Sequence, residues 1–173
     1  MIQYDMLKIL TKAQDTYGYP NQMMVCAEEC CELASVLSRT HKDRLDIVEE
    51  IADVTVCLHH IYIMFGIDSG HHNPFYERYK NCAFNPIKEL CDLACLLTKY
   101  PRYPDHSTAL ENMKTKVIEK TAVVVLTLAQ LKNLYLIYDD EIEVVMDKKL
   151  RRLERWLKES DNMYQTTIDR ELR

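Results

Sequence analysis

Residues 23–37 read MMVCAEECCELASVL, an apolar run broken by three glutamates. On a helix of about 3.6 residues per turn, Glu29 and Glu32 lie one turn apart on the same side, and Glu28 also lies one turn below Glu32. A second run opens with Glu49-Glu50-Ile51-Ala52-Asp53 and stays apolar to Phe65, with Glu50 and Asp53 at the same helical spacing. If the two helices pack antiparallel, these carboxylates face one another across the seam. Like charges confined in such a groove repel or take up protons unless a cation joins them. Oxygen-rich sites of this kind suit hard divalent cations, magnesium first.

Outward from these runs the periodicity is helical throughout. A first amphipathic helix is expected from Ile2 to about Asp15, ended by Tyr17-Gly18-Tyr19-Pro20. Asn21 is the expected N-cap of the second helix, which runs to about Arg39. The third spans about Asp43 to Phe65 and stops at Gly66. Residues 68–73, with Gly70, His71 and His72, read as a loop, and Pro74 to Asn81 as a short helical segment. Asn85-Pro86 is an N-cap followed by proline at the first helical position, opening a helix to Lys99. Tyr100 to His106 is a loop. A helix from near Ser107 to about Tyr138 follows, then a last one to about Glu159, with a loose polar tail over 161–173. Val123-Val124-Val125-Leu126 has strand propensity, but no partner strand accompanies it. The expected fold class is all-α, an antiparallel helix bundle forming a single domain over residues 1–173.

Composition agrees. The chain has 173 residues, 47% hydrophobic and 28% charged, with only three Gly and five Pro to make turns. That length is enough for one substantial core. The net charge of −5 argues against a nucleic-acid polymer or an anionic membrane as partner, yet leaves room for a nucleotide bound through a metal. No secretory signal or transmembrane run is evident, so a cytoplasmic location is expected, the host cytoplasm if the chain is phage-encoded. The seven cysteines match no zinc module and read as mostly reduced, buried small hydrophobes.

The chain also resembles itself. AEECCELASVLSR (27–39) aligns with IKELCDLACLLTK (87–99), identical at Glu29/Glu89, Cys31/Cys91, Leu33/Leu93, Ala34/Ala94 and Leu37/Leu97. IVEEIADVTVCL (47–58) matches VIEKTAVVVLTL (117–128) in pattern. An internal duplication of the helix pair is expected, with a complete copy over about 1–68 and a degenerate one over about 84–157. In the second copy Glu32 becomes Asp92, but Glu28 becomes Lys88, Glu50 becomes Lys120 and Asp53 becomes Val123.

At these residues the chain resembles the MazG-like all-α nucleoside triphosphate pyrophosphohydrolases. The hallmark EExxE followed by ExxD stands here as Glu28-Glu29-Cys30-Cys31-Glu32 and Glu50-Ile51-Ala52-Asp53, with Tyr17-Gly18 and Gln22 ahead of them. The resemblance implies hydrolysis of a (deoxy)nucleoside triphosphate between the α- and β-phosphates, giving monophosphate and pyrophosphate, in sanitation or remodelling of the nucleotide pool. It implies Mg²⁺ as cofactor, with Mn²⁺ as a substitute, held by Glu29, Glu32, Glu50 and Asp53. Glu28 would be a further ligand or, with Glu29, would serve the attacking water. Lys149-Leu150-Arg151-Arg152 looks like the basic segment that follows this core, so Lys149 and Arg152 would contact phosphate if the last helix folds back. Otherwise they are a solvated basic face.

The resemblance further implies a homo-oligomer, dimer or tetramer, in which the second copy replaces one subunit contact. The stretch from Pro101 to Leu110 is the expected lid. Gln22 either points into the acidic groove or is a cap or surface amide, and His60 either approaches the base or sugar or is a satisfied interior histidine. Trp156 and several tyrosines, Tyr17 among them, are candidates to stack on a base. A di-iron carboxylate bundle would need Glu-x-x-His pairs, which these acidic residues lack. The competing reading is a catalytically silent helical regulatory or interaction protein that retains the fold.

Overall fold

The computed structural model describes residues 2–67 and 75–171, with side chains described for 5–67 and 75–160. The expected loop at 68–73, with His71 and His72, lies outside the described residues. Among those described the chain is all α-helix with no strand: α1 Ile2–Tyr17, α2 Tyr19–Ser38, α3 Arg44–Phe65, α4 Tyr76–Tyr79, α5 Pro86–Lys99, a 3₁₀ turn Tyr100–Arg102, α6 Thr108–Tyr135 and α7 Asp139–Glu171. The valines at 123–125 are helical, as their flanks require. No single helix among the described residues is long and apolar enough to cross a membrane.

Several boundaries differ from expectation for identifiable reasons. Helix α1 reaches Tyr17, and only Gly18 separates it from α2, at φ 80°. Proline is tolerated in a first helical turn, where its missing N–H has no intrahelical partner to lose, so Pro20 lies inside α2. Asn21 is therefore not the N-cap, and its Nδ2 donates to the Tyr17 carbonyl at 2.7 Å, closing the end of α1. Helix α6 stops at Tyr135 because Leu136 takes a left-handed conformation, φ 53°, whose N–H closes on the last-turn carbonyls. Helix α7 continues to Glu171 instead of ending near Glu159; residues 160–171 contain neither Gly nor Pro to stop it. The cap at Asn85 forms as expected, accepting from the backbone N–H of Lys88 (3.3 Å), and Asp43, read as the first residue of the third helix, caps it instead by accepting from the N–H of Leu45 (2.9 Å).

Two helix hairpins make the body of the fold. Helices α2 and α3 pack together across the short link at 39–43, and α5 packs on α6. The two hairpins meet along α2 and α5, the most extensive helix–helix contact among the described residues. Leu33, Ala34 and Leu37 of α2 and Leu93, Ala94 and Leu97 of α5 are all buried in one core, at the positions where the two segments are identical. Excluding these side chains from water, at about 25 cal/mol per Å² of apolar surface, is what holds the hairpins together.

The chain turns by 118° between α6 and α7, and α7 then packs on α3 and α1. Arg44, at the start of α3, braces this corner. Its guanidinium forms a two-pronged pair with Glu141 at 2.9 and 2.7 Å and donates to the carbonyls of Tyr135 and Leu136 at 3.2 and 2.7 Å. Such planar double contacts set orientation as well as attraction. Glu141 is held down to about 2 by that hydrogen bond. The direction in which α7 leaves the corner decides which of its residues reach the acidic seam.

Of the seven cysteines, Cys26, Cys30 and Cys57 are buried, while Cys31, Cys82, Cys91 and Cys95 are exposed. The expectation of mostly buried thiols is thus corrected. Apolar periodicity treats cysteine as a hydrophobe, but one step along a helix from Cys30 to Cys31 rotates the side chain by about 100°, out of the core.

Candidate metal centre and adjoining pocket

Helices α2 and α3 bring three carboxylates into one cluster. Ligand oxygens of Glu29, Glu32 and Glu50 all lie within 4.8 Å of one another. Glu32 is exposed at the rim, and Glu29 and Glu50 are partly buried. Leu33, Ile47 and Ile51 anchor the same helices in the core, so the backbone carrying these acids is rigid. Oxygen Oε2 of Glu50 is buried without a hydrogen-bond partner. A carboxylate oxygen left so costs its full desolvation, and buried polar atoms are almost always satisfied. The donor set, three carboxylates with one buried oxygen that receives no hydrogen bond, fits a hard divalent cation.

Asp53, one turn beyond Glu50, has a different partner. Lys149 of α7 donates to its Oδ2 and forms an ion pair with it. Glu28 is exposed and outside the cluster, one step around α2 from Glu29. The structure thus brings together Glu29, Glu32 and Glu50, places Asp53 beside them under an ammonium, and leaves Glu28 in solvent.

The crowding shows in the titration. Burial, then the neighbouring charges of Asp53 and Glu32, raise the Glu29 carboxyl to about 7, with Lys149 opposing. Glu50 is raised by burial and by Asp53 and Glu32. Asp53 is raised by burial even though Lys149 and Arg152 pull the other way. These acids hold protons more tightly than free carboxylates because burial strips water from their anions and, at Glu29 and Glu50, like charges crowd them.

A pocket of ≈ 460 Å³ adjoins the cluster, lined by Gln22, Glu29, Asp53, His60, Lys149, Arg152 and Trp156 among others. This volume lies within the range of about 300–1,000 Å³ usual for small-ligand sites. The residues singled out from the sequence, Gln22, His60, Lys149 and Arg152, therefore converge on one cavity. Gln22 is buried in its wall and is not a surface amide. His60 is 4% exposed and both lines the pocket and is satisfied inside the protein. Gln14 donates its Nε2 to the His60 carbonyl at 2.8 Å and approaches the ring Nδ1 at 3.4 Å. That amide orientation makes Nδ1 the acceptor and puts the ring proton on Nε2. Burial then lowers His60 to about 4, so the ring is neutral.

Gln14 was not apparent in the sequence, since its partner is 46 positions away. The expected lid is also relocated. Pro101, Tyr103 and Leu110 line a different cavity, with Tyr19, Met64 and Phe65. What closes over the carboxylates is α7, through Lys149, Arg152, Leu153 and Trp156.

The second hairpin carries the corresponding acids in another state. Lys120 donates to Glu89 at 2.6 Å and to Asp92 at 3.1 Å, and Lys88 donates to Asp92 at 2.7 Å. Glu119 accepts from the hydroxyl of Tyr79, with Arg78 at 3.4 Å. Asp92 is lowered by its bond to Lys88. Here lysine ammonium groups already supply the positive charge that the first cluster lacks. Glu89→Gln and Asp92→Asn are accordingly expected to leave metal affinity and activity within about threefold of the parent. Glu89→Gln should lower the melting temperature by about 2–4 °C, as losing one such contact costs ~1 kcal/mol. Calorimetry and turnover assays on the two variants check both statements.

No family model, curated protein or solved structure matches the chain.

Proposed function

We propose that the protein is a divalent-metal-dependent nucleoside triphosphate pyrophosphohydrolase of MazG-like type, acting at the α2–α3 cluster. The observation that carries this reading is the trio Glu29, Glu32 and Glu50 with the unpartnered, buried Oε2 of Glu50. Their order in the sequence, EExxE then ExxD, is the motif whose resemblance implies the activity.

Glu29, Glu32 and Glu50 would hold Mg²⁺, or Mn²⁺ in its place, and Asp53 would join them on exchanging its bond to Lys149. The cation, when bound, supplies charge neutralisation for the triphosphate and polarises a water. The chain's own groups do the rest. Lys149 and Arg152, released toward the pocket, hold phosphate oxygens. Glu29, which belongs to the cluster and also lines the pocket, would orient the attacking water and accept its proton. The water oxygen bonds to phosphorus as the α–β bridging bond breaks, and pyrophosphate leaves with the bond's electron pair. Exposed Glu28, outside the cluster, would meet groups entering from solvent.

The lysine-filled α5–α6 hairpin, packed on α2–α3 through matching residues, supports an internal duplication in which one copy kept the site. A homo-oligomer of such chains is part of the same proposal.

Release of pyrophosphate from a panel of deoxynucleoside triphosphates with Mg²⁺ tests the reading. Release that stops on chelation supports it. Folded protein that releases none from any of them would sink it and favour a silent interaction protein.

A further inference from the structure

Away from the acidic seam, the beginning of α2 and the end of α3 meet the link between α5 and α6 around a cavity of ≈ 510 Å³. Four aromatic side chains line it: Tyr19, Phe65, Tyr100 and Tyr103. Phe65 and Tyr100 pack edge to face, with ring centres 5.2 Å apart, which fixes that part of the wall. The faces of such rings are electron-rich and attract cations. The chain already uses this property, since the ammonium of Lys114 lies 5.8 Å from the centre of the Phe65 ring. Asp105 and Glu111 also line the cavity, two carboxylates against the one ammonium of Lys114. Both act on the Tyr100 hydroxyl, which is pushed up first by burial and then by their charges. The lining is therefore negative by one charge and disfavours an anion. A hard metal ion is poorly served as well, because among the described residues three potential ligands come together only at Glu29, Glu32 and Glu50. The apolar part of the wall, with Met23, Met64 and Leu110, suits methyl groups better than a hydrated ion.

We propose that this cavity binds a small organic cation, an alkylated ammonium, whose charge is met by the aromatic rings and by Asp105 and Glu111 while its methyl groups fill the apolar wall. Such a cation carries its charge without a tight water shell, so it gives up little on leaving solvent for a ring-lined site. Lys114 is the group it competes with. The cavity shares no lining residue with the pocket at the carboxylate cluster, and its ligand is independent of any hydrolysis there.

Choline is the probe, set against the uncharged isostere in which carbon replaces its quaternary nitrogen, in calorimetric titrations of metal-free protein at constant ionic strength. Choline is expected to bind saturably at one site, at least about fivefold more tightly than the isostere. Tyr103→Leu and Glu111→Gln should each weaken it about threefold or more. Lys114→Met, which removes the cation already held at Phe65, should strengthen it by a similar factor. Glu50→Gln, in the acidic cluster, should leave choline binding as it is. Glu111 is exposed and Tyr103 only partly buried, and circular dichroism checks that each variant folds. Absence of saturable choline binding, equal binding of the isostere, or binding that is lost in Glu50→Gln and untouched in Tyr103→Leu would each overturn the proposal.

Discussion

Glu50→Gln is expected to lower turnover at least a hundredfold and, in the same protein stripped of metal, to raise the melting temperature. The two effects share one cause. The Glu50 carboxylate sits against Glu29 and Glu32 with an unpartnered buried oxygen, and its pKa is raised by burial and by Asp53 and Glu32. In metal-free protein that charge is a liability, and an amide of the same shape removes the repulsion. In the proposed enzyme the same charge would hold the cation. Removing one electrostatic contact to developing charge in a catalytic site typically costs about 10²–10³ in rate. Relief of repulsion worth ~1 kcal/mol would show as a gain of about 2–4 °C. Glu49→Gln, at an exposed neighbouring position, should change neither quantity. Pyrophosphate assays and calorimetry in chelator check this. Full activity in Glu50→Gln would refute the assignment of the site.

Magnesium is expected to stabilise the protein, and to do so more strongly as pH rises. Glu29 has a folded-state pKa of about 7 against an ordinary value of 4.5. An acid whose pKa is raised on folding binds its proton more tightly in the native state. The metal-free protein therefore loses this contribution as pH climbs from about 4.5 to about 7. His60 runs the other way, since its pKa is lowered to about 4 and its contribution is lost as pH falls from 6.5. Comparing wild type with Glu29→Gln at each pH cancels the histidine. Metal binding needs ionised carboxylates, so the gain on adding Mg²⁺ should grow over the same window in which the metal-free protein weakens. At a hundredfold excess over Kd that gain is ~2.7 kcal/mol, about 5–10 °C. A shift with Mg²⁺ that is absent, or equal at pH 5 and pH 8, would count against the cluster as a cation site.

The local part of the fold was legible from spacing. The run at 23–37 and its partner opening at Glu49 carried the helical period, and the Asn85 cap and the Gly66 stop followed from local chemistry within a few residues. Boundaries were misread where one residue type serves two purposes. Pro20 lies inside a first turn, where it is tolerated, and did not bring the break forward. Leu136 took a left-handed conformation usually given to glycine, which no sequence pattern announces. Exposed Cys31 and Cys91 were read as core because apolar composition alone does not say which way a helix faces.

By itself the sequence determined an all-α chain and the carboxylates that share a helix face, because both follow from a period of about 3.6 residues acting over a turn or two. It also placed Lys120, when the two segments are aligned, at the position that Glu50 holds. Only the tertiary structure decided which of those carboxylates meet. Glu28 and Glu29 are chemically equal and adjacent, yet packing of α2 on α3 and α5 partly buries one and leaves the other in water. The course of α7 was equally a matter of long-range contact. The Arg44–Glu141 clamp joins positions 97 residues apart and sends Lys149 to Asp53, 96 residues away. Such pairings depend on where whole helices dock, through burial summed over the core, and no local pattern encodes them.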